Sequence, residues 1–266
     1  MTEAINEKEI EIRTADGTVD GYLYRPAGQV GQVGQGKLPG VILLTDIGGL
    51  RAAYRESAKR LAALGYVVLM PNVFYRTGKP PVMEYPIKMG HEPTMKRIGE
   101  LRAPLTPEAM ERDGVAYVDF LAQQEGVGGG VMGVVGFCFT GAMAMRMAAA
   151  RPAKIAAVAS FHGGGLYTDE PGSPHTALPR IKARLYFGHA VQDHSMPQEA
   201  IEKFERALAA WGGQYQSETY DGALHSWTTL DSPVYNQPQA ERAFAKLTEL
   251  FQAALQGDKS ASSVGR

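Results

Sequence analysis

The stretch MGVVGFCFTGAMAM, residues 132–145, decides the fold. A short apolar run passes through Cys138 into residues spaced as a helix. Glycines at 136 and 141 bracket the change. A sharp strand-to-helix turn lifts the residue at its apex out of the sheet, and the pattern is close to Gly-x-nucleophile-x-Gly. There is one departure. Thr140 stands where the pattern has glycine, and the glycine follows one place later.

Outward from this turn, strands and helices alternate. On the N-terminal side, EIEIRTADGTVDGYLYRP (residues 9–26) alternates polar and apolar residues about Asp16-Gly17 and predicts an antiparallel hairpin. A glycine-rich loop is expected over residues 27–40. GVILLTDIGG (40–49) reads as a buried strand ending in a tight turn. The helix LRAAYRESAKRLAALG (50–65) follows, with Leu50, Tyr54, Leu61 and Leu64 on one face and Gly65 as its stop. YVVLMPN (66–72) is the next strand. Residues 75–106 read as irregular, rich in Pro, Met and Lys, and long enough for a lid or substrate-binding role. Thr106 and Pro107 open a helix carrying Met110, Tyr117, Val118 and Leu121. After the central strand and its helix come strands IAAVASF (155–161) and ARLYFG (183–188). The helix MPQEAIEKFERALAAWGG (196–213), the strand YQSETY (215–220) and the helix AERAFAKLTELFQAAL (240–255) complete the pattern.

This alternation predicts an α/β fold with a mostly parallel, doubly wound sheet and an N-terminal antiparallel hairpin. No linker divides it, so one domain is expected over residues 1–255, with a disordered tail over 256–266. Composition is that of an ordinary globular chain, 44% hydrophobic and 21% charged, with a formal net charge of −1. That balance argues against a broad basic surface for nucleic acid. The single cysteine excludes an internal disulfide. The polar start MTEAINEKEIEIR and the lack of a long apolar run suggest a cytoplasmic protein with no membrane partner.

In such a sheet, chemistry gathers at the carboxyl ends of the strands. Asp46, Cys138, Asp193 and His225 each follow a predicted strand. A lone cysteine among apolar residues is commonly a small buried hydrophobe, Asp193 alone would be a helix cap, and His225 alone a solvated loop residue. Their order changes that reading. Nucleophile, acid, base is the chain order of α/β-hydrolases. Asp193 would orient His225, whose other ring nitrogen would face the sulfur. The backbone N–H of Phe139, at the start of a helix, would point at a developing oxyanion.

Several look-alikes were rejected. HGGG (162–165) copies a lipase oxyanion motif but follows the nucleophile, and reads as a loop after a strand. GVGGGVMG (126–133) precedes a strand instead of linking strand to helix. His189 and His194 flank Asp193 with no third metal ligand at helical spacing. His175 carries no further signal. No metal and no cofactor are expected.

The segments TDIGG (45–49), GYVVLMPNVFYR (65–76), VVGFCFTG (134–141), YFGHAVQDHSMP (186–197) and YDGALHSW (220–227) together resemble the dienelactone hydrolase-like (carboxymethylenebutenolidase-like) family of α/β-hydrolases. The resemblance implies a Cys-His-Asp triad at Cys138, His225 and Asp193, and a second oxyanion donor at the Ile47 N–H. It implies a thiol-modulating acid at position 46, where the family has glutamate and this chain has Asp46. The bland alternative for Asp46 is a role in the turn at Gly48-Gly49. Tyr75, Arg76 and Trp227 are the candidate substrate contacts within these segments. HSWTTLDSP (225–233) lacks the arginine by which relatives hold a substrate carboxylate, while residues 75–106 offer Arg76, Lys88, His91, Lys96, Arg97 and Arg102.

The expected function is hydrolysis of a small ester or lactone through a covalent thioester, by a monomer or homodimer. The alternatives are a non-catalytic binding protein on the same fold, or an acyl-transfer or carbon–carbon hydrolase using the same three residues.

Overall fold

The computed structural model describes residues 4–27, 37–84 and 87–256. Residues 28–36 of the expected glycine-rich loop and 257–266 of the expected tail lie outside the described residues. Among the described residues, eight strands form one sheet: β1 (Ile5–Thr14), β2 (Gly17–Pro26), β3 (Leu38–Leu44), β4 (Val67–Pro71), β5 (Val127–Phe137), β6 (Ile155–Phe161), β7 (Arg184–His189) and β8 (Tyr215–Thr219). Their order is β1-β2-β4-β3-β5-β6-β7-β8. The hairpin β1–β2 joins β4 antiparallel, and every pairing from β4 onward is parallel. The sheet is mostly parallel with an N-terminal antiparallel hairpin, as the alternating pattern predicts.

Alternate residues of the central strands bury on opposite faces, as the two-residue period requires. Ile42, Leu44, Met132 and Val134 pack on one side, and Val41, Leu43, Val135 and Phe137 on the other. The first side is covered by α3 (Pro107–Ala122), α4 (Thr140–Ala150) and α5 (Gln198–Trp211). The second is covered by α1 (Ala52–Ala63) and α6 (Gln237–Phe251). Helix ends follow local chemistry. The Thr106 hydroxyl accepts the Ala109 N–H ahead of α3, and Gly212 closes α5 in a left-handed conformation. Among the described residues, no helix is long and apolar enough to cross a membrane.

Some details differ from expectation. Leu50, Tyr54 and Leu61 are buried, but Leu64 is exposed because α1 has already ended there. The irregular segment contains α2 (Glu92–Arg102), which Pro93 opens and which buries only Leu101. So little apolar patterning is too weak to read as a helix from sequence. Gly128, Gly129, Gly130 and Gly133 fall inside β5, where a register shift against β3 accommodates the run. Asp193 does not cap α5, which starts at Gln198.

Between α3 and α4 the packing requires glycine. A Cβ at Gly114 of α3 would lie 2.3 Å from Met147 Cγ and 3.2 Å from Met147 Cα of α4. Alanine improves helix propensity by about 1 kcal/mol, whereas overpacking typically costs about 1–3 kcal/mol. Gly114→Ala is therefore expected to lower the urea-derived unfolding free energy by about 1 kcal/mol. An increase would show that α3 and α4 have slack between them.

Candidate active site

Cys138 occupies the turn between β5 and α4 with φ of 58°, a left-handed conformation rare for any residue but glycine. The neighbours make the turn possible. A Cβ at Gly136 would fall 2.3 Å from the Thr140 carbonyl oxygen, so no larger residue fits. Thr140, the departure from the nucleophile pattern, is fully buried. Its hydroxyl accepts the Phe137 N–H at 2.8 Å and lies within donor reach of the Phe137 and Leu44 carbonyls. It ties the elbow to β3. Gly141 answers a different need: a Cβ there would lie 2.1 Å from the buried Ser160 hydroxyl.

Cys138 is half-buried. The Phe139 N–H and the Ile47 N–H, the two candidate oxyanion donors, have no acceptor among the described residues. Asp193 and His225 meet from the ends of β7 and β8. His225 Nδ1 lies 2.7 Å from Asp193 Oδ2. The other carboxylate oxygen accepts both the Ser195 N–H at 2.8 Å and the Ser195 hydroxyl at 2.7 Å. The Asp193 side chain is 4% exposed and the His225 side chain 29%, so the acid is sealed while the imidazole remains reachable.

Charge at this cluster is strongly biased. Burial alone would hold His225 neutral, but hydrogen bonding to Asp193 and interaction with the Cys138 sulfur push its pKa from 6.5 up to about 10. Burial alone would raise Asp193, yet the His225 and Ser195 hydrogen bonds bring it below the ordinary carboxylate range.

A second histidine lies at this rim and was missed from sequence. His162, dismissed with the HGGG loop, follows β6 and is fully buried, with φ of 41°. Its Nδ1 accepts the Cys138 N–H at 3.2 Å, which leaves the proton on Nε2 to donate to Thr228 Oγ1 at 2.8 Å. Its ring meets those of His225 and Trp227 edge-on, at 5.0 and 5.2 Å. Burial first, then the neighbouring His225, drives its pKa well below the usual value, so it is a neutral spacer. Its place at a strand's carboxyl end was the available signal.

Other candidates are engaged elsewhere. Asp46 accepts a fork from Arg51 at 2.6 and 2.9 Å and the Gly48 N–H at 2.9 Å, an arrangement that organises the turn. Tyr75 and Arg76 both bond Asp113, which is 1% exposed, and Arg76 also binds Asp16 of the hairpin. They fasten β1–β2 to α3. Trp227 is fully buried against His162 and Tyr220 and forms a wall under the imidazoles. Of the six basic candidates named over 75–106, Arg102 is the one whose guanidinium stands over Phe139, 6.0 Å from its ring centre. His189 bonds Ser217, and no group of three His, Cys, Asp or Glu among the described residues could hold a metal ion.

This arrangement has counterparts. The model of the dienelactone hydrolase family matches residues 19–255. The chain belongs to the dienelactone hydrolase family. A carboxymethylenebutenolidase of Rhodococcus opacus is 30% identical over 228 residues, 81% of each chain. A Synechocystis sp. relative assigned as a carboxymethylenebutenolidase is 28% identical over 259 residues, 96% of this chain and all of the other. A solved structure of dienelactone hydrolase type from Klebsiella pneumoniae superposes with a TM-score of 0.80 at 23% identity, covering 93% of this chain and 98% of the other. This family member is thus a dienelactone hydrolase-like hydrolase.

The elevated His225 pKa has a consequence for stability. A group whose pKa rises on folding stabilises fully below its unfolded value, near 6.5, and the contribution is lost as pH climbs through about 10. Asp193→Asn removes the main support of that shift. The stability gap between wild type and Asp193→Asn, from urea unfolding, is expected to be widest just below pH 6.5, where the Asp193 carboxylate is still ionised, and to narrow steadily toward pH 10. A gap that widens over this range would contradict the assignment.

Proposed function

We propose that the protein hydrolyses small carboxylic esters or lactones through a cysteine nucleophile. One observation supports this above the others: His225 is paired with Asp193 through Nδ1 at 2.7 Å beside a Cys138 held in a strained, half-buried elbow. With Nδ1 occupied by the carboxylate, Nε2 is the nitrogen left for the sulfur.

His225 holds the thiol proton as an imidazolium, and the Cys138 thiolate attacks the substrate carbonyl. Negative charge collects on the carbonyl oxygen, where the Phe139 and Ile47 N–H groups receive it. Each such donor contributes on the order of 3 kcal/mol to the transition state. The tetrahedral adduct collapses, the carbon–oxygen bond breaks, and the leaving alkoxide or enolate takes the proton from His225. A water molecule then gives a proton to His225 and adds to the thioester. Cys138 leaves as thiolate and the carboxylic acid is released. Asp193 holds the ring and stabilises its charged form throughout. His162 and Ser195 position Cys138 and Asp193.

Thiolate is reachable near neutral pH, while thioesters resist water. Enol esters and enol-lactones, with good leaving groups, suit this chemistry. A substrate carboxylate would meet Arg102 above Phe139.

A panel of p-nitrophenyl esters and enol-lactones, assayed with wild type, Cys138→Ala and Cys138→Ser, tests the reading. Cys138→Ala is expected to lose about a thousandfold or more in kcat. Equal rates in wild type and Cys138→Ala would remove Cys138 from the mechanism.

A further inference from the structure

Arg51 stands at the entrance to α1, and its guanidinium joins two loops of the site. On one side it forks onto Asp46, with Nη1 to Oδ1 at 2.6 Å and Nη2 to Oδ2 at 2.9 Å, and Nη1 also reaches the Gly49 carbonyl at 3.3 Å. On the other side Nε reaches Asp231 Oδ2 at 2.9 Å and Nη2 reaches Asp231 Oδ1 at 3.3 Å. The Arg51 and Asp46 side chains are 12% and 6% exposed, so the fork operates largely out of water. Asp46 immediately precedes Ile47, the candidate oxyanion donor. Asp231 lies on the loop that carries His225. A lighter tie runs beside it, from the Tyr54 hydroxyl to Thr229 Oγ1 at 3.4 Å.

We propose that Arg51 is a positioning residue: it holds the oxyanion turn after β3 in register with the histidine loop after β8. The inference rests on the reading of the Ile47 N–H as an oxyanion donor. The β3–β5 pairing aligns Leu44 with Gly136, so Asp46 and Cys138 each lie two residues beyond a matched pair. The turn therefore rises directly beside the nucleophile. Its backbone is close to the guanidinium, since a Cβ at Gly48 would fall 2.7 Å from Arg51 Nη1. A donor displaced by as little as 1 Å loses much of its effect on rate, and a planar fork fixes two carboxylates as a single ammonium does not. The clamp also occupies both Asp46 oxygens, which accept from Arg51 and the Gly48 N–H.

The test separates the oxyanion hole from the nucleophile. Hydrolysis of p-nitrophenyl acetate uses both. Alkylation of Cys138 by iodoacetamide forms a carbon–sulfur bond, expels iodide and needs no oxyanion donor. Arg51→Met is expected to lower kcat by about tenfold to a hundredfold, with KM and the alkylation rate each within about twofold of wild type. Arg51→Lys keeps the charge without the fork and is expected to lose about tenfold in kcat with the same unchanged alkylation. Asp231→Asn is expected to cost about threefold alone and almost nothing on top of Arg51→Met, because both remove one clamp. Should Arg51→Met not fold, Arg51→Lys and Asp231→Asn give the same comparison. An unchanged kcat in folded Arg51→Lys, or kcat and alkylation falling by one common factor, would overturn the proposal. Undiminished hydrolysis by Cys138→Ala would instead overturn the nucleophile reading.

Discussion

The left-handed backbone at Cys138 is the constraint on which the rest of the rim depends. Such a residue costs on the order of 1–3 kcal/mol and persists only where its surroundings over-determine it. Here they do. The Cys138 N–H is shared between the Phe161 carbonyl and His162, and its carbonyl accepts from Gly141 and Gly164. Phe137 is packed against Tyr54 and Phe161, and Phe139 against Phe74. The same conformation recurs around the site. Among the described residues, the non-glycine residues with positive φ are Cys138, His162, Gln192 and Ser226, one after each of β5, β6, β7 and β8. Each is a site residue or adjoins one. The rim is built from four tight turns, each presenting a side chain where its strand runs out.

Electrostatics divide the rim into two pairings with different tasks. Asp193 meets a titratable partner, so in the proposed reaction a proton moves at the imidazole. Asp46 meets a guanidinium that stays charged at any working pH, so nothing moves and the turn is fixed. Both carboxylates are almost sealed from water, and either would be costly to bury alone. His162 sits beneath the moving charge and stays neutral, adding a hydrogen bond without a competing proton.

Some features of this chain are written in its sequence and others only in its fold. Strand and helix alternation was legible because buried central strands and amphipathic helices leave strong periodic patterns. The order of Cys138, Asp193 and His225 was legible because it needs only the rule that loops after parallel strands share one edge. Side-chain partnerships were not. Tyr75, Arg76 and Trp227 sit in segments resembling the family, but Asp113 lies far along the chain and Trp227 faces inward. Nothing in sequence spacing says so. Asp46 and Arg51 are five residues apart, yet their pairing depends on a turn geometry that no periodicity encodes. His162 was hidden by a motif that drew attention to its glycines. Helix α2 was missed because one buried leucine makes no stripe.

A covalent bond between substrate and Cys138 is the central step of the proposed reaction. Acid quenching during turnover of p-nitrophenyl acetate, followed by peptide mapping by mass spectrometry, looks for that bond directly. The expected result is an acetyl group on the peptide containing Cys138, labile to hydroxylamine, which forms and decays at the rate of turnover. Steady hydrolysis with Cys138 never acylated, or with the acetyl group on a serine, would contradict it.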